Sequence, residues 1–452
     1  MTQTSAALCC RICGASLRTT FVDLGASPPC EAILSPASVE AAEAHYPLHA
    51  RICETCLLVQ VPEVMPADEI FTDSYAYFSS FSSSWVEHAR RYAHRMRDSL
   101  LLGRESTVFE VASNDGYLLR HFVEMGIGVL GIEPTANTAA AAEAIGVPTV
   151  VEFLGEVTAK AVVAQHGRAD LVAANNVYAH VPDLRDFTLG LATLLAPHGT
   201  LTIEVPHLAR LIEQRQFDTI YHEHFQYYTL LTLQRALAMG DLVVTDVEEL
   251  STHGGSLRVY ARHRSAVEAE GAPIGGEVTR VLAAEALAGL HTVAGHAGFD
   301  ASVHAVKRDL MRFLLDAQEQ GATVVGYGAP GKGNTLLNYC GISRDLLPFT
   351  VDRNHHKHGH YLPGSRIPIR HPDELEAARP DYVLVLPWNL RTEISAQLHY
   401  VAQWGGRLVY AIPRLEVVDP GEPADSDHPV GPVNPVGPTD PDDPVTTDGS
   451  ER

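Results

Sequence analysis

Two short cysteine pairs near the start constrain this chain more than anything else in it. Cys10-Arg-Ile-Cys13 and Cys53-Glu-Thr-Cys56 are CxxC knuckles. Each turns tightly enough to aim two thiolates at one point, and two knuckles complete a tetrahedron around zinc. With all four positions taken by cysteine no coordination site stays open, so the ion is expected to be structural. The residues between the knuckles must form a small excursion, because the separation exceeds that of a compact zinc ribbon. A redox CxxC or a chance cluster of buried thiols is the competing reading. Seven cysteines, six of them before residue 57, do not resemble a secreted disulfide framework; a metal site in a reducing cytoplasm suits them better. Cys9 is an alternative ligand, but the CxxC register and Gly14 favour Cys10, while Cys30 and Cys340 read as ordinary small residues.

At 452 residues the chain is too long for one core. After the cysteine region, the stretch VEHARRYAHRMRDSLL reads as a basic amphipathic helix. Apolar runs in STVFEV, GVLGIEP, DLVAANN and GTLTIEVP then alternate with helical segments, which calls for a parallel α/β sheet with helices on both faces. LVVTDVEELSTHGGSLRVYARH holds two strands close together and suits an antiparallel sheet edge. An Ala/Glu/Leu-rich helical linker leads to a second α/β unit that begins at ATVVGYGAPGKGNTLLNYCG. The expected segments are therefore 1–65, 66–265 and 266–416. Residues 417–452, rich in Pro and Asp and lacking aromatics, read as a disordered tail.

The sharpest feature of the middle segment is Glu110-Val-Ala-Ser113-Asn114-Asp115-Gly116, where a strand ends in small residues and a helix begins at once. Such a turn lets backbone approach a ligand closely at the carboxyl ends of the strands. It is not GxGxxG, so a pyrophosphate site is not favoured. The next strand ends in Glu133-Pro134, an acid placed to accept from ribose hydroxyls. The third ends in Asn175-Asn176, where an adenine or methionine moiety could be held. Acids at the first turn and at the second strand end suit S-adenosylmethionine, whose sulfonium is positive.

Tyr221-His222-Glu223-His224-Phe-Gln-Tyr-Tyr packs two histidines, a carboxylate and three tyrosines into one short stretch. The histidines are two apart, which rules out HExxH metal binding. A histidine beside a carboxylate can serve as general base, and tyrosine hydroxyls can donate to an oxyanion. His180 is expected to face the same pocket. Near the start of the last unit, Gly326-Tyr-Gly328-Ala-Pro-Gly331-Lys332-Gly333 satisfies GxGxxG after a strand, with Asp352 at a plausible next strand end. It fails the P-loop pattern, because Gly333 stands where the Mg-binding hydroxyl belongs. A glycine turn with exposed N–H groups and a lysine remains a place for phosphate oxygens.

In order, CRICG with CETC, EVASNDGYLL, GIEP, YHEHFQYYT, HGGSLRVY and GYGAPGKGNTLLNY resemble the sugar C-methyltransferases of bacterial deoxysugar biosynthesis, and they span nearly the whole chain except the tail. The resemblance implies an α/β architecture: a small zinc-binding N-terminal module, a central Rossmann-like class I methyltransferase domain and a C-terminal Rossmann-like domain. It implies a thymidine-diphospho 4-keto-6-deoxy sugar lying between domains, methylated next to the ketone through an enolate. On that reading His224 is the base, Tyr221 and Glu223 position or polarise the carbonyl, and Tyr75, Tyr77 and His180 complete the pocket. His222, Gly328, Lys332, Asn334 and Asp352 are then expected on the substrate side.

The formal charge of −22 argues against nucleic acid as a ligand. The N-terminus reads as no secretory signal, and no apolar run reaches membrane-spanning length, so a cytoplasmic monomer is expected. The rival enzyme reading, drawn from Gly326–Gly331 and Asp352, is an NAD-dependent oxidoreductase or epimerase of nucleotide sugars.

Overall fold

A computed structural model describes residues 8–66 and 78–420 of the chain. Tyr75, Tyr77 and residues 421–452, which include most of the expected tail, lie outside the described residues.

The excursion between the knuckles is built by alternation. In β2 (Tyr46–Ile52) Leu48, Ala50 and Ile52 point inward, and the strand pairs antiparallel with β1 (Thr19–Ser27) and with β3 (Val59–Gln60). The fourth strand of this sheet comes from far downstream: β9 (Gln226–Tyr227) pairs with β3, Val59 opposite Tyr227 and Gln60 opposite Gln226. The YHEH stretch is thereby fastened to the cysteine-bearing module within three residues of His224.

The central sheet runs β10-β11-β8-β7-β4-β5-β6. It comprises β4 (Thr107–Val111), β5 (Gly128–Ile132), β6 (Thr149–Val150), β7 (Ala169–Asn175), β8 (Leu195–Pro206), β10 (Leu242–Leu250) and β11 (Ser256–His263). β4 to β8 are parallel and β10 and β11 close one side antiparallel, as the paired apolar runs suggested. Strands buried on both faces read as unbroken apolar runs, and β7, ADLVAAN, is buried at six of seven positions. From β4 the chain moves outward to β5 and β6, then returns to β7 on the other side. That reversal opens a crevice at the carboxyl ends of β4 and β7, where α/β sheets bind ligands. The helix Ser83–Ser99 packs Ala89, Tyr92, Ala93 and Met96 beneath the sheet, and its N-cap Ser82 accepts from the Trp85 N–H.

After the helices Arg264–Glu270, Gly276–Leu287 and Phe299–Glu319, a third sheet follows in the order β14-β13-β12-β15-β16-β17. Its strands are β12 (Val324–Tyr327), β13 (Thr350–Val351), β14 (Ile369–Arg370), β15 (Tyr382–Val385), β16 (Arg407–Tyr410) and β17 (Glu416–Val418). β17 pairs antiparallel with β16, so ordered pairing extends past residue 416, where the sequence reading began the tail. The N-terminal module is wedged between the larger units. Phe21, Leu24 and Leu48 share a core with Val325, Leu384 and Val409, whereas Cys10, Cys53 and Cys56 share one with Phe109 and Leu201. No helix among the described residues is long and apolar enough to cross a membrane.

Candidate active site

The four knuckle thiolates converge. Their sulfur atoms all lie within 4.8 Å of one another, with Cys10–Cys56 at 3.3 Å and Cys13–Cys53 at 3.5 Å. Tetrahedral zinc with Zn–S near 2.3 Å requires sulfurs about 3.8 Å apart, so the set fits the ion with shifts of about an ångström or less. Cys9 is exposed and stands outside the group. The residues around the thiolates tie the site inward: Gln60 donates to Cys10 Sγ at 3.3 Å, and Arg235 donates to the Cys56 carbonyl at 2.8 Å. Arg11, inside the first knuckle, donates to the carbonyls of Val61 (2.8 Å), Pro182 (3.1 Å) and Phe225 (3.3 Å).

At the central crevice the chain adopts conformations that L-residues avoid. Ala112 and Asn114 after β4 and Asn176 after β7 all have left-handed φ, at 57°, 48° and 53°. Such strain persists where a site over-determines it. Gly116, at φ +77°, closes the same turn against Ala142 and Val147, leaving no room for a side chain. Ser113, Asp115 and Asn175 are buried here with side-chain oxygens that lack a hydrogen-bond partner among the described residues, and Glu110 is buried beside them. Glu133 is buried as well, one carboxylate oxygen accepting from Asn114 N–H (2.9 Å) and the other from Thr135 N–H (3.0 Å). Three carboxylates thus share one pocket with no basic partner among the described residues. Burial pushes the Glu110 carboxyl well up, Tyr117 opposes this, and Asp115 and Glu133 push it further. A cationic ligand bearing donor groups relieves that accumulation, and S-adenosylmethionine is one. Ser79 and Ser80 close over the turn, donating to the side chains of Asn114 (2.9 Å) and Asp115 (3.1 Å).

Across the crevice lies the YHEH loop. His224 Nδ1 donates to the Thr219 carbonyl at 2.9 Å, which fixes the tautomer and leaves the lone pair on Nε2. Nε2 accepts from the Tyr221 hydroxyl at 2.9 Å. His180 stands edge-on to His224 with ring centroids 4.7 Å apart. Burial, then the neighbouring His180, holds His224 well below its ordinary pKa, and burial takes His180 to about 4. Tyr221, His224, His180 and Lys332 are enclosed by protein yet retain accessible surface, as groups lining a cleft do. Glu223 is buried and its carboxyl is raised to about 8, by burial first and by Glu31 second, so it is a neutral acid at pH 7.

Three family descriptions match this chain: "C-methyltransferase C-terminal domain" over residues 251–413, "Methyltransferase domain" over 85–247 and "Putative zinc binding domain" over 10–71. The C-methyltransferase NovU of Streptomyces niveus is 34% identical over 409 residues, which covers 90% of this chain and 96% of NovU. The chain belongs to the C-methyltransferase family. It is an S-adenosylmethionine-dependent enzyme with a structural zinc site. Among solved structures, magnesium protoporphyrin IX methyltransferase from Synechocystis PCC 6803 matches at 15% identity and TM-score 0.31, over 39% of this chain and 83% of that one. The 1,6-didemethyltoxoflavin-N1-methyltransferase of Burkholderia thailandensis matches at 18% identity and TM-score 0.33, over 46% and 94%.

In this C-methyltransferase the remaining residues expected at the site divide sharply. His222 turns away from the cleft and donates to the Tyr46 carbonyl at 3.2 Å, fastening the loop to β2. Pro134 continues the chain beside Glu133 at the crevice. Both Asp352 carboxylate oxygens accept backbone N–H bonds, from Ala329 and Asn354 at 2.7 Å each, which fixes the carboxylate between the turn after β12 and the turn after β13. Asn334 is buried and donates to the Cys30 carbonyl at 2.6 Å. Gly328 is pressed against Pro387, Gly331 against Cys30 and Glu31, and Gly333 against Leu386. These glycines are filled from inside the protein, which removes the dinucleotide cradle on which the NAD reading stood. Lys332 is partly enclosed, donating to Asn389 at 2.9 Å and lying 5.1 Å from the Trp388 ring centre. Sequence reasoning missed Asp218, which accepts from Trp388 Nε1 at 2.7 Å, and the buried Glu204. Burial alone would raise Glu204, but His88 and Arg258 hold it down to about 2. Alternating apolar neighbours made Glu204 look like an ordinary strand residue.

Proposed function

We propose that this C-methyltransferase methylates the carbon beside the ketone of a thymidine-diphospho 4-keto-6-deoxy sugar, C3 ahead of C5. The observation that carries the proposal is His224: a neutral imidazole in an enclosed cleft, its tautomer locked by Thr219 so that one lone pair faces Tyr221. A C–H beside a ketone yields its proton to such a base once the developing enolate is stabilised. Substrate displaces the Tyr221 hydroxyl from Nε2, and the freed hydroxyl turns to a sugar oxygen. His180 and the neutral Glu223 shape the same wall, with Tyr75 and Tyr77 assigned to the pocket. Lys332, lowered by burial against the opposing pull of Asp218, pairs its ammonium with a diphosphate. Glu110, Ser113, Asn114, Asp115, Gly116, Glu133, Pro134, Asn175 and Asn176 hold S-adenosylmethionine, which supplies the electrophilic methyl group. Alignment of the two reactants provides much of the acceleration. Residues 1–65 serve as zinc module, 66–265 as methyltransferase unit and 266–416 as nucleotide-sugar unit, in a cytoplasmic monomer.

The test is incubation with S-adenosylmethionine and a panel of thymidine-diphospho keto sugars, followed by mass spectrometry and NMR of the products. A new carbon–methyl bond next to the ketone is expected. Methylation only at oxygen or nitrogen, or of no keto sugar, would end the proposal.

A further inference from the structure

The central sheet presents one more loop between the cofactor turn and His224, and the reaction proposed above gives it no task. It is Thr252–Gly255, the HGG of the HGGSLRVY segment. His253 takes the left-handed conformation, φ 56° and ψ 18°, which an L-residue adopts at a penalty of about 1–2 kcal/mol. Gly254 and Gly255 follow at φ +91° and +117°, and each is boxed in. A side chain on Gly254 would meet Trp388 and Gln216, and one on Gly255 would meet Arg210. Gln216 also donates to the Gly254 carbonyl at 2.7 Å. Two other segments therefore clamp the turn and fix where His253 points.

On one side of the ring, His253 stands edge-on to Trp85 at 5.1 Å, and Trp85 lies 6.0 Å from Tyr117, the residue after Gly116 of the cofactor turn. His253 is also within Coulombic reach of Lys332, His224, Glu204 and His88. It thus bridges the two halves of the site. Its Nδ1 is buried and has no hydrogen-bond partner among the described residues. Lys332 donates to Asn389 and is assigned above to the diphosphate, and Gln216 donates to the Gly254 carbonyl.

We propose that His253 donates a ring N–H to the ketone oxygen as the enolate forms, and so acts as a catalytic residue beside His224. The proposal rests on the keto-sugar reading. As the α-proton passes to His224 Nε2, the C–H electron pair forms the carbon–carbon double bond of the enolate and the carbonyl π pair moves to the ketone oxygen, where His253 holds the negative charge without giving up its proton. The carbonyl re-forms as the carbon bonds to the methyl group and the S–CH3 pair returns to sulfur. A neutral imidazole still carries one ring N–H and can donate it to the developing oxyanion. Burial, then Lys332, holds His253 at about 4, so it is neutral across physiological pH.

Solvent deuterium exchange at the carbon beside the ketone tests this in the full-length enzyme, with thymidine-diphospho 4-keto-6-deoxyhexose as substrate and S-adenosylhomocysteine in the cofactor pocket. His253→Ala is expected to slow both exchange and methyl transfer by about 10²–10³-fold, the usual effect of removing one oxyanion donor. Its affinity for S-adenosylmethionine in calorimetry should stay at wild type. His253→Asn keeps an N–H donor and tolerates the left-handed backbone, so it should recover part of the rate. Matching thermal melts for the two variants separate chemistry from folding. Wild-type exchange in His253→Ala, or a defect confined to cofactor affinity, overturns the proposal. If the wild-type enzyme itself exchanges no such proton, the keto-sugar reading fails and this proposal falls with it.

Discussion

Replacing Arg11 with methionine cuts the most direct connection between the zinc knuckle and the catalytic loops while keeping the apolar stem of the side chain. Arg11 donates to Pro182, two residues after His180, to Phe225, next to His224, and to Val61. Phe225 retains a second donor in the Val61 N–H at 3.0 Å, so the carbonyls of Pro182 and Val61 bear the loss. A hydrogen bond from a charged donor contributes about 1.5–3 kcal/mol, and half-buried carbonyls recover part of that from water, so about 2–4 kcal/mol of stability should disappear. The midpoint of urea unfolding measures this, provided the slope of the transition is unchanged. Zinc content by mass spectrometry should remain at one ion per chain, since no ligand is touched. Methyl transfer should fall more than cofactor affinity does, because the residues released are those that place His180 and His224. A shift below about 0.5 kcal/mol, within the range of an ordinary surface substitution, together with wild-type turnover, would refute the idea that the knuckle positions the base.

Four further outcomes can be checked. His224→Ala should abolish turnover and leave S-adenosylmethionine binding intact by calorimetry. Cys10→Ser with Cys13→Ser should release zinc and lower the melting temperature, whereas a stable, zinc-free and fully active protein would contradict the structural role. Lys332→Met should raise KM for the sugar nucleotide by about 10–100-fold, the worth of one charged hydrogen bond, with a smaller effect on kcat. Glu223 keeps its proton up to about pH 8 in the fold but loses it near 4.5 when unfolded. Its stabilising contribution is therefore complete below 4.5 and lost as pH rises through 8. Glu223→Gln should flatten that decline in thermal melts and keep most activity at pH 7; an inactive, folded variant would show that the ionised form is needed.

Much of this architecture was legible because its determinants are local. A CxxC knuckle needs only its own turn, and the SNDG turn only a strand before it and a helix after it. The alternation of apolar runs predicted the parallel order, and the two close runs around HGG predicted the antiparallel pair. What the chain hid were choices made by distant partners. The YHEH stretch displays two histidines with equal claim to the cleft. β9 pairs with β3, and His222 is drawn to the carbonyl of Tyr46 while His224 is left facing inward. Nothing within the loop announces which residue will be drawn to the neighbouring strand.

The glycines of GYGAPGKGN and of THGG show why the same residue type supports opposite conclusions. In the first loop each of the four glycines is met by protein atoms that have already arrived: Thr350, Pro387, Cys30 with Glu31, and Leu386. Asp352 is likewise held by backbone N–H groups, so a pattern that looks like a phosphate cradle also serves as a packing device. In the second loop the glycines are also crowded, but the residue they leave strained is a histidine whose buried Nδ1 has no hydrogen-bond partner among the described residues. Crowding explains why Gly254 and Gly255 must be glycine. It does not explain why the left-handed position before them carries an imidazole, where asparagine or glycine would sit at lower conformational cost. Strain retained at a position facing both the cofactor turn and the base is what a catalytic donor would require. His253 is therefore the residue at which the distinction between packing and chemistry is most directly open to measurement.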